Sequence, residues 1–267
     1  MVFGGFQKLT LLDYPEKTAC TLFTIGCDFA CPFCQNSGLI PEKGKQSLFP
    51  DEPYNTEKEQ VYAITELAIT ETEILEFLKT RQGLLDGVCI SGGEPLIQND
   101  LEDFIEKVKA LGFLIKLDTN GNDPVKLERM INSGMIDYIA MDIKNSPEKY
   151  AQTIGLLDDT KQFDISQINK SIELLLAGST DFEFRTTVVR EFHTVEDLIS
   201  IANRISEIAK EINIKPTVSK IKYYLQKFVD SENVLQKGLT SRSDNEMHMF
   251  LNEIKTYLPG AELRGIQ

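Results

Sequence analysis

Apolar residues in this chain fall into short runs that alternate between two periods. Residues 18–25, 87–91, 113–117, 137–141 and 182–189 are apolar runs of strand length. Residues 217–225 are expected to supply the last core strand. Between these runs the spacing changes to that of a helix. Apolar residues recur at 101, 104, 105, 108 and 111, and Gly112 is the expected stop. Thr70 and Glu73 form a capping box ahead of the apolar run 74–78, and Ser243 with Glu246 forms another before a final helix. Asp123 and Pro124 start a helix that Gly134 ends, and residues 166–177 form one that stops at Gly178. Thr194 caps a helix running to about residue 211. Residues 8–17 lead through a proline turn into the first strand. Residues 41–58, with three prolines, a glycine and many charges, read as a mobile loop.

Strand and helix alternate about six times, which predicts an α/β fold of parallel strands joined by helical crossovers. Ligands in such sheets sit at the C-terminal strand ends. Polar groups collect there in this sequence. Cysteines follow the first strand, Gly92-Gly93-Glu94 the second, Asp118-Thr119-Asn120 the third, and Asp142 and Lys144 the fourth.

Composition narrows the class. The 267 residues are 42% hydrophobic and 26% charged, ordinary for a globular chain. One domain over residues 1–267 is expected, large enough to bury a core without disulfides. A net charge of -13 and a pI near 4.7 argue against a nucleic-acid surface. No secretory signal pattern opens the chain and no apolar run reaches membrane-spanning length. A cytoplasmic location, where thiols stay reduced, is the expectation.

The chemistry concentrates in one stretch. Cys27, Cys31 and Cys34 are three of five cysteines and fall within eight residues, spaced Cys-x3-Cys-x2-Cys. Thiols this close bind a soft metal centre, form disulfides or exchange thiols. A structural zinc site wants a fourth ligand nearby, and the two histidines, His193 and His248, are far away in sequence. Disulfide scaffolds belong to short secreted chains. Three thiolates instead suit a [4Fe–4S] cluster with one iron left open for another ligand. Cys20 and Cys89 lie in apolar strands and read as small core residues. Taken alone, Gly92-Gly93-Glu94-Pro95 and Asp118-Thr119-Asn120-Gly121 are ordinary turns. Lys144 and Arg185 are surface charges, and His193 is a cap or a solvent-facing residue.

Together these residues resemble a known family. Cys27-x3-Cys31-x2-Cys34, with aromatic Phe33 before the last cysteine, resembles the cluster motif of the radical S-adenosylmethionine (SAM) enzymes, and Gly92-Gly93-Glu94 resembles their SAM motif. More narrowly the chain is similar to the activating proteins of anaerobic ribonucleoside-triphosphate reductase. That likeness rests on Lys8-Leu9-Thr10-Leu11-Leu12-Asp13-Tyr14-Pro15, Ser91-Gly92-Gly93-Glu94-Pro95, Leu117-Asp118-Thr119-Asn120-Gly121, Ala140-Met141-Asp142-Ile143-Lys144, Glu183-Phe184-Arg185-Thr186-Thr187 and Leu263-Arg264-Gly265.

The resemblance implies a partial (β/α)6 barrel and a [4Fe–4S] cluster on Cys27, Cys31 and Cys34, with SAM on the fourth iron. It places Glu94 and the backbone of Gly92 and Gly93 on the SAM ammonium, and Phe33 near the adenine. Asp118, Asn120, Asp142, Lys144 and Arg185 are placed around SAM or a nearby monovalent-cation site. The implied partners are a glycyl radical enzyme, namely anaerobic ribonucleoside-triphosphate reductase, and a low-potential donor such as flavodoxin or ferredoxin. A radical SAM enzyme acting on a small molecule such as a deazapurine precursor, and a non-catalytic iron–sulfur protein, are the competing readings. Two features depart from the family pattern: Gln35 stands where many relatives carry histidine, and the 41–70 segment is longer than expected.

Overall fold

The computed structural model describes residues 1–40, 68–156, 163–212 and 220–266. The expected mobile loop at 41–58 lies outside them. Two compact units carry the chain. The first is Met1–Ala30, Asn36–Thr119 and Val125–Ile139, and the second is Cys31–Gln35, Asn120–Pro124 and Ala140–Gln267.

In the first unit, β1 (Val2–Thr10), β2 (Ala19–Thr24), β3 (Ile69–Thr70), β4 (Gly87–Gly92) and β5 (Leu114–Thr119) follow the order β3-β1-β2-β4-β5. The pairings β2–β4 and β4–β5 are parallel, and β1 is antiparallel to both its neighbours. The helices α1 (Glu71–Lys79) and α2 (Leu101–Ala110) supply crossovers, and α3 (Pro124–Asn132) follows β5. Strand β6 (Tyr138–Asp142) gives its first two residues to this unit.

One face of this sheet carries Cys20, Leu22, Val88, Ile90, Ile115 and Leu117, all fully buried. Each large side chain among them contributes roughly 1.5–3 kcal/mol on leaving water. The helices bury the stripes their spacing predicts: Leu101, Phe104, Ile105 and Val108 on α2, Ile74 and Leu78 on α1. The Thr70–Glu73 capping box forms. Gly112 and Gly134 end their helices at φ 91° and 69°, a region open to glycine.

The second unit contains the remainder of β6, then α4 (Tyr150–Thr153), α5 (Ile165–Ala177), β7 (Asp181–Val188), α6 (Val195–Glu211), β8 (Tyr223–Lys227), α7 (Asp244–Ile254) and β9 (Ala261–Arg264). Strands β7, β8 and β9 are parallel. Thr194 and Ser243 cap α6 and α7, each in a full capping box.

The fold is therefore mixed α/β, with a mostly parallel sheet and helical crossovers as the periodicity predicts. In the first unit the strands begin at an edge, β3, and in the second they end at an edge, β9. Several elements differ from the sequence reading, among them these. Lys8, Leu9 and Thr10 end the antiparallel strand β1 rather than belonging to a turn. The expected strand at 217–225 is realised as Tyr223–Lys227, and residues 217–219 lie outside the described residues. A further strand, β9, follows the final helix. No helix among the described residues is long and apolar enough to cross a membrane.

Candidate metal centre and cofactor site

The cysteine loop leaves the C-terminal end of β2. All five cysteines are free thiols. Cys27 and Cys34 are half-buried and Cys31 is buried. The Phe29 N–H points at Cys27 Sγ at 3.4 Å. Within the second unit a turn joins Cys34 N–H to the Cys31 carbonyl at 2.9 Å. Leu235 and Gln236 donate to the carbonyls of Cys34 and Pro32 at 3.2 and 2.8 Å, and Gln35 Nε2 donates to the Val229 carbonyl at 2.8 Å. The Gln35 side chain thus anchors the loop to the 229–236 segment. Burial pushes the Cys31 thiol up to about 12, against the pull of the Lys144 ammonium. A coordinating metal ion reverses that balance, because a ligand thiol is deprotonated outright. The residue types fit an iron–sulfur cluster: three free thiols within eight positions of the sequence, one with a backbone N–H on its sulfur, the kind of bond that tunes cluster potentials, although no three metal-ligating side chains among the described residues stand close enough together to hold an ion as they are.

The Gly-Gly-Glu turn is locked to the start of that loop. Parallel pairing sets Thr24 opposite Gly92. Beyond the strands, Gly93 N–H donates to the Thr24 carbonyl at 3.0 Å and Glu94 N–H to the Gly26 carbonyl at 2.8 Å. Gly92 has φ 116°, and a Cβ there would collide with the Thr24 backbone. A Cβ on Gly93 would collide with the Gly26 carbonyl. Glu94 is 2% exposed, and its Oε1 accepts from Leu96 N–H at 3.0 Å and Thr119 Oγ1 at 2.7 Å. A carboxylate held this way is fixed in orientation before any ligand arrives. Thr119, which the sequence reading left inside a turn, belongs to β5 and orients Glu94.

Strand β5 also carries an ion pair that sequence alone did not reveal. Lys116, 1% exposed, pairs with Asp118. Asn120 is buried and its Oδ1 accepts from Asn122 N–H at 2.9 Å, an Asx turn at the strand's exit. Asp118 and Thr119 are therefore strand residues, and the turn begins only at Asn120.

In the second unit Asp142 lies between two cations. Lys144 Nζ is 3.0 Å from Oδ2 and Arg185 Nε is 2.8 Å from Oδ1. Burial raises the Asp142 carboxyl, but the Arg185 and Lys144 charges outweigh it and hold it well below the carboxylate range. Burial lowers the Lys144 ammonium, and the charges of Asp142 and Cys31 more than reverse that. Lys144 and Arg185 are thus partly buried ion-pair members, not the surface charges their residue type suggested. Phe33 is 5% exposed, with its ring against Phe192 at 5.6 Å and His193 at 6.0 Å. His193 is fully buried, so its reading as a cap or solvent-facing residue is corrected. No local cue marks it, because the groups it meets are set by the fold.

A profile of the radical SAM superfamily matches residues 21–205. A Methanocaldococcus jannaschii protein provisionally named a glycyl-radical enzyme activating enzyme is 28% identical over 98% of this chain and 95% of its own length. The 7-carboxy-7-deazaguanine synthase of Thermoplasma acidophilum is 27% identical over 51% of this chain and 66% of its own. The crystal structure of Streptococcus suis SuiB bound to S-adenosylmethionine superposes with a TM-score of 0.60 at 12% identity, covering 91% of this chain. This chain spans about half of SuiB, 49% of its length.

Proposed function

The chain belongs to the radical SAM superfamily, and from that premise we propose that it is a glycyl radical enzyme activase whose partner is anaerobic ribonucleoside-triphosphate reductase. The observation that carries this reading is the likeness to an activating-enzyme relative along 98% of the chain, with no large segment of either protein left over. Likenesses to deazaguanine synthases favour the small-molecule alternative, but at 25–27% identity over 51% and 72% of the chain.

Cys27, Cys31 and Cys34 hold a [4Fe–4S] cluster in this proposal. When bound, the cluster and SAM supply a one-electron cleavage of the sulfonium, giving methionine and the 5′-deoxyadenosyl radical that takes a hydrogen atom from a glycine Cα. A glycine suits that step because no side chain blocks approach and its flanking amides delocalise the product radical. The electron comes from a flavodoxin or ferredoxin in the cytoplasm. Glu94 binds the SAM ammonium, with the backbone of Gly92 and Gly93 free to approach closely because neither carries a Cβ. Phe33 serves the adenine. Asp118, Asn120, Asp142, Lys144 and Arg185 orient SAM. Asp118 and Asp142 already carry the ammonium or guanidinium groups of Lys116, Lys144 and Arg185, so a separate monovalent cation has charged competitors at both. The low charge cost of fixed, paired groups is the preorganisation that such a reaction needs.

Glu94→Gln keeps the hydrogen-bond acceptor and removes the charge. It is expected to weaken SAM binding roughly tenfold to a hundredfold, the worth of one charge-assisted bond, while iron content stays at the wild-type level. Equal SAM affinity in the two proteins removes Glu94 from the site.

The activase reading is tested by mixing reduced protein, SAM and the reductase without oxygen. Electron paramagnetic resonance (EPR) is expected to show a glycine-centred doublet on the reductase, and later exposure to oxygen to cut its chain at that glycine. Formation of 5′-deoxyadenosine with no reductase radical would eliminate this partner. Stoichiometric consumption of SAM by a small molecule would eliminate the activase itself.

A further inference from the structure

Among the buried polar side chains, His193 has no place in the scheme above, yet both of its ring nitrogens are engaged. Nδ1 accepts from the Val189 N–H at 3.1 Å, which leaves the proton on Nε2, and Nε2 donates to the Lys144 carbonyl at 2.8 Å. Burial favours this neutral form. The ring edge meets Phe33, at 67° between planes, and Phe33 packs in turn on Phe192. One imidazole therefore touches three segments of the second unit: the exit of β6 at Lys144, the exit of β7 at Val189, and the cysteine loop at Phe33. The Lys144 ammonium pairs with Asp142 and is the main opposite charge acting on Cys31.

We propose that His193 is a positioning residue that fixes the Lys144 main chain and the Phe33 ring in one arrangement, so that SAM meets both in a single geometry. A histidine suits the task where an apolar residue does not. Without its two hydrogen bonds the Val189 N–H and the Lys144 carbonyl lose these partners, and the backbone that carries Lys144 loses one of its anchors. A simple helix cap would instead leave the ring exposed and aimed at the start of α6. Here neither ring nitrogen bonds to that helix, whose capping is done by Thr194 and Asp197. The assignment rests on the reading of Phe33 and Lys144 as SAM-site residues, but not on the identity of the partner enzyme.

The experiment compares wild type, His193→Phe and His193→Gln, each reconstituted with iron and sulfide without oxygen and titrated with SAM. Iron content, SAM affinity and the EPR spectrum of the reduced cluster with and without SAM are read. His193→Phe keeps an aromatic ring beside Phe33 and removes both hydrogen bonds. It is expected to retain iron, to bind SAM about ten- to a hundredfold more weakly, the usual loss when a group supporting a metal site is removed, and to lose the SAM-dependent change in the spectrum. His193→Gln keeps a donor for the Lys144 carbonyl and is expected to recover part of both. Wild-type SAM affinity and spectral change in His193→Phe overturn the assignment. Should His193→Phe fail to take up iron, His193→Gln decides alone, and wild-type affinity in it overturns the assignment. No partner enzyme enters these measurements, so they stand or fall apart from the activase reading.

Discussion

Cys31→Ala is expected to abolish the iron–sulfur cluster, and with it SAM cleavage, whereas Cys20→Ala and Cys89→Ala keep both. Placement as well as spacing separates the two sets. Cys20 and Cys89 are fully buried inside strands β2 and β4, and burial pushes the Cys20 thiol up to about 12 and the Cys89 thiol up as well. Cys89 packs in one cluster with Tyr14, Ala19 and Tyr138. A thiol there behaves as a small hydrophobe, and its truncation costs about 1 kcal/mol of stability. Cys31 is buried too, and a lysine acts on it as Lys116 does on Cys89, but it lies in a loop with two further cysteines close in sequence, one of which, Cys27, receives a backbone N–H on its sulfur. Iron and acid-labile sulfide counts on anaerobically reconstituted single variants provide the check. Loss of iron in Cys89→Ala as complete as in Cys31→Ala would falsify the ligand set.

What the sequence made legible follows from the range of the forces involved. Capping boxes at Thr70, Thr194 and Ser243 and glycine stops at Gly112 and Gly134 depend on residues within one helical turn. They can be read from neighbours alone. Strands β2, β4 and β6 were legible because both faces are buried and the runs are nearly all apolar or small. Strand β1 was not. It contains Gly4-Gly5 and exposed Gln7 and Lys8, its register against β2 shifts twice, and it is held by pairing rather than by its own pattern. Four-residue β9 is hidden for a similar reason: only Ala261 is buried, and its place is set by pairing with β8. The site divides in the same way. Residue types and spacing marked the cysteines and Gly92-Gly93-Glu94. Two of the partners around the site, Thr119 on Glu94 and His193 on Lys144, are tertiary contacts, 25 and 49 positions apart, whereas Lys116 on Asp118 is a buried pair two positions apart on β5. A charged residue in an apolar strand, as at Lys116, is the one local sign that such a contact exists.

Gly93→Ala is expected to lose cluster and SAM binding together, although alanine changes no ligand. The added Cβ would fall on the carbonyl oxygen of Gly26, far inside the 3.0 Å limit that real Cβ contacts respect. That obstacle is backbone and cannot rotate away. It is also hydrogen-bonded, since the Gly26 carbonyl accepts from Glu94 N–H at 2.8 Å and Gly26 N–H donates to the Leu39 carbonyl at 2.8 Å. The clash is relieved only by parting the Gly-Gly-Glu turn from the chain that leads directly into Cys27. Overpacking of this kind costs about 1–3 kcal/mol, occasionally more, and here the displaced segments carry Glu94 on one side and a cysteine on the other. Gly38→Ala is the matched control: a Cβ there meets nothing within 4 Å, so its stability should stay within about 0.5 kcal/mol of wild type. Thermal unfolding, iron content and SAM affinity are measured on both variants. Gly93→Ala with wild-type iron and SAM binding would show that the turn and the cysteine loop move independently, and that close backbone approach is not what the second glycine provides.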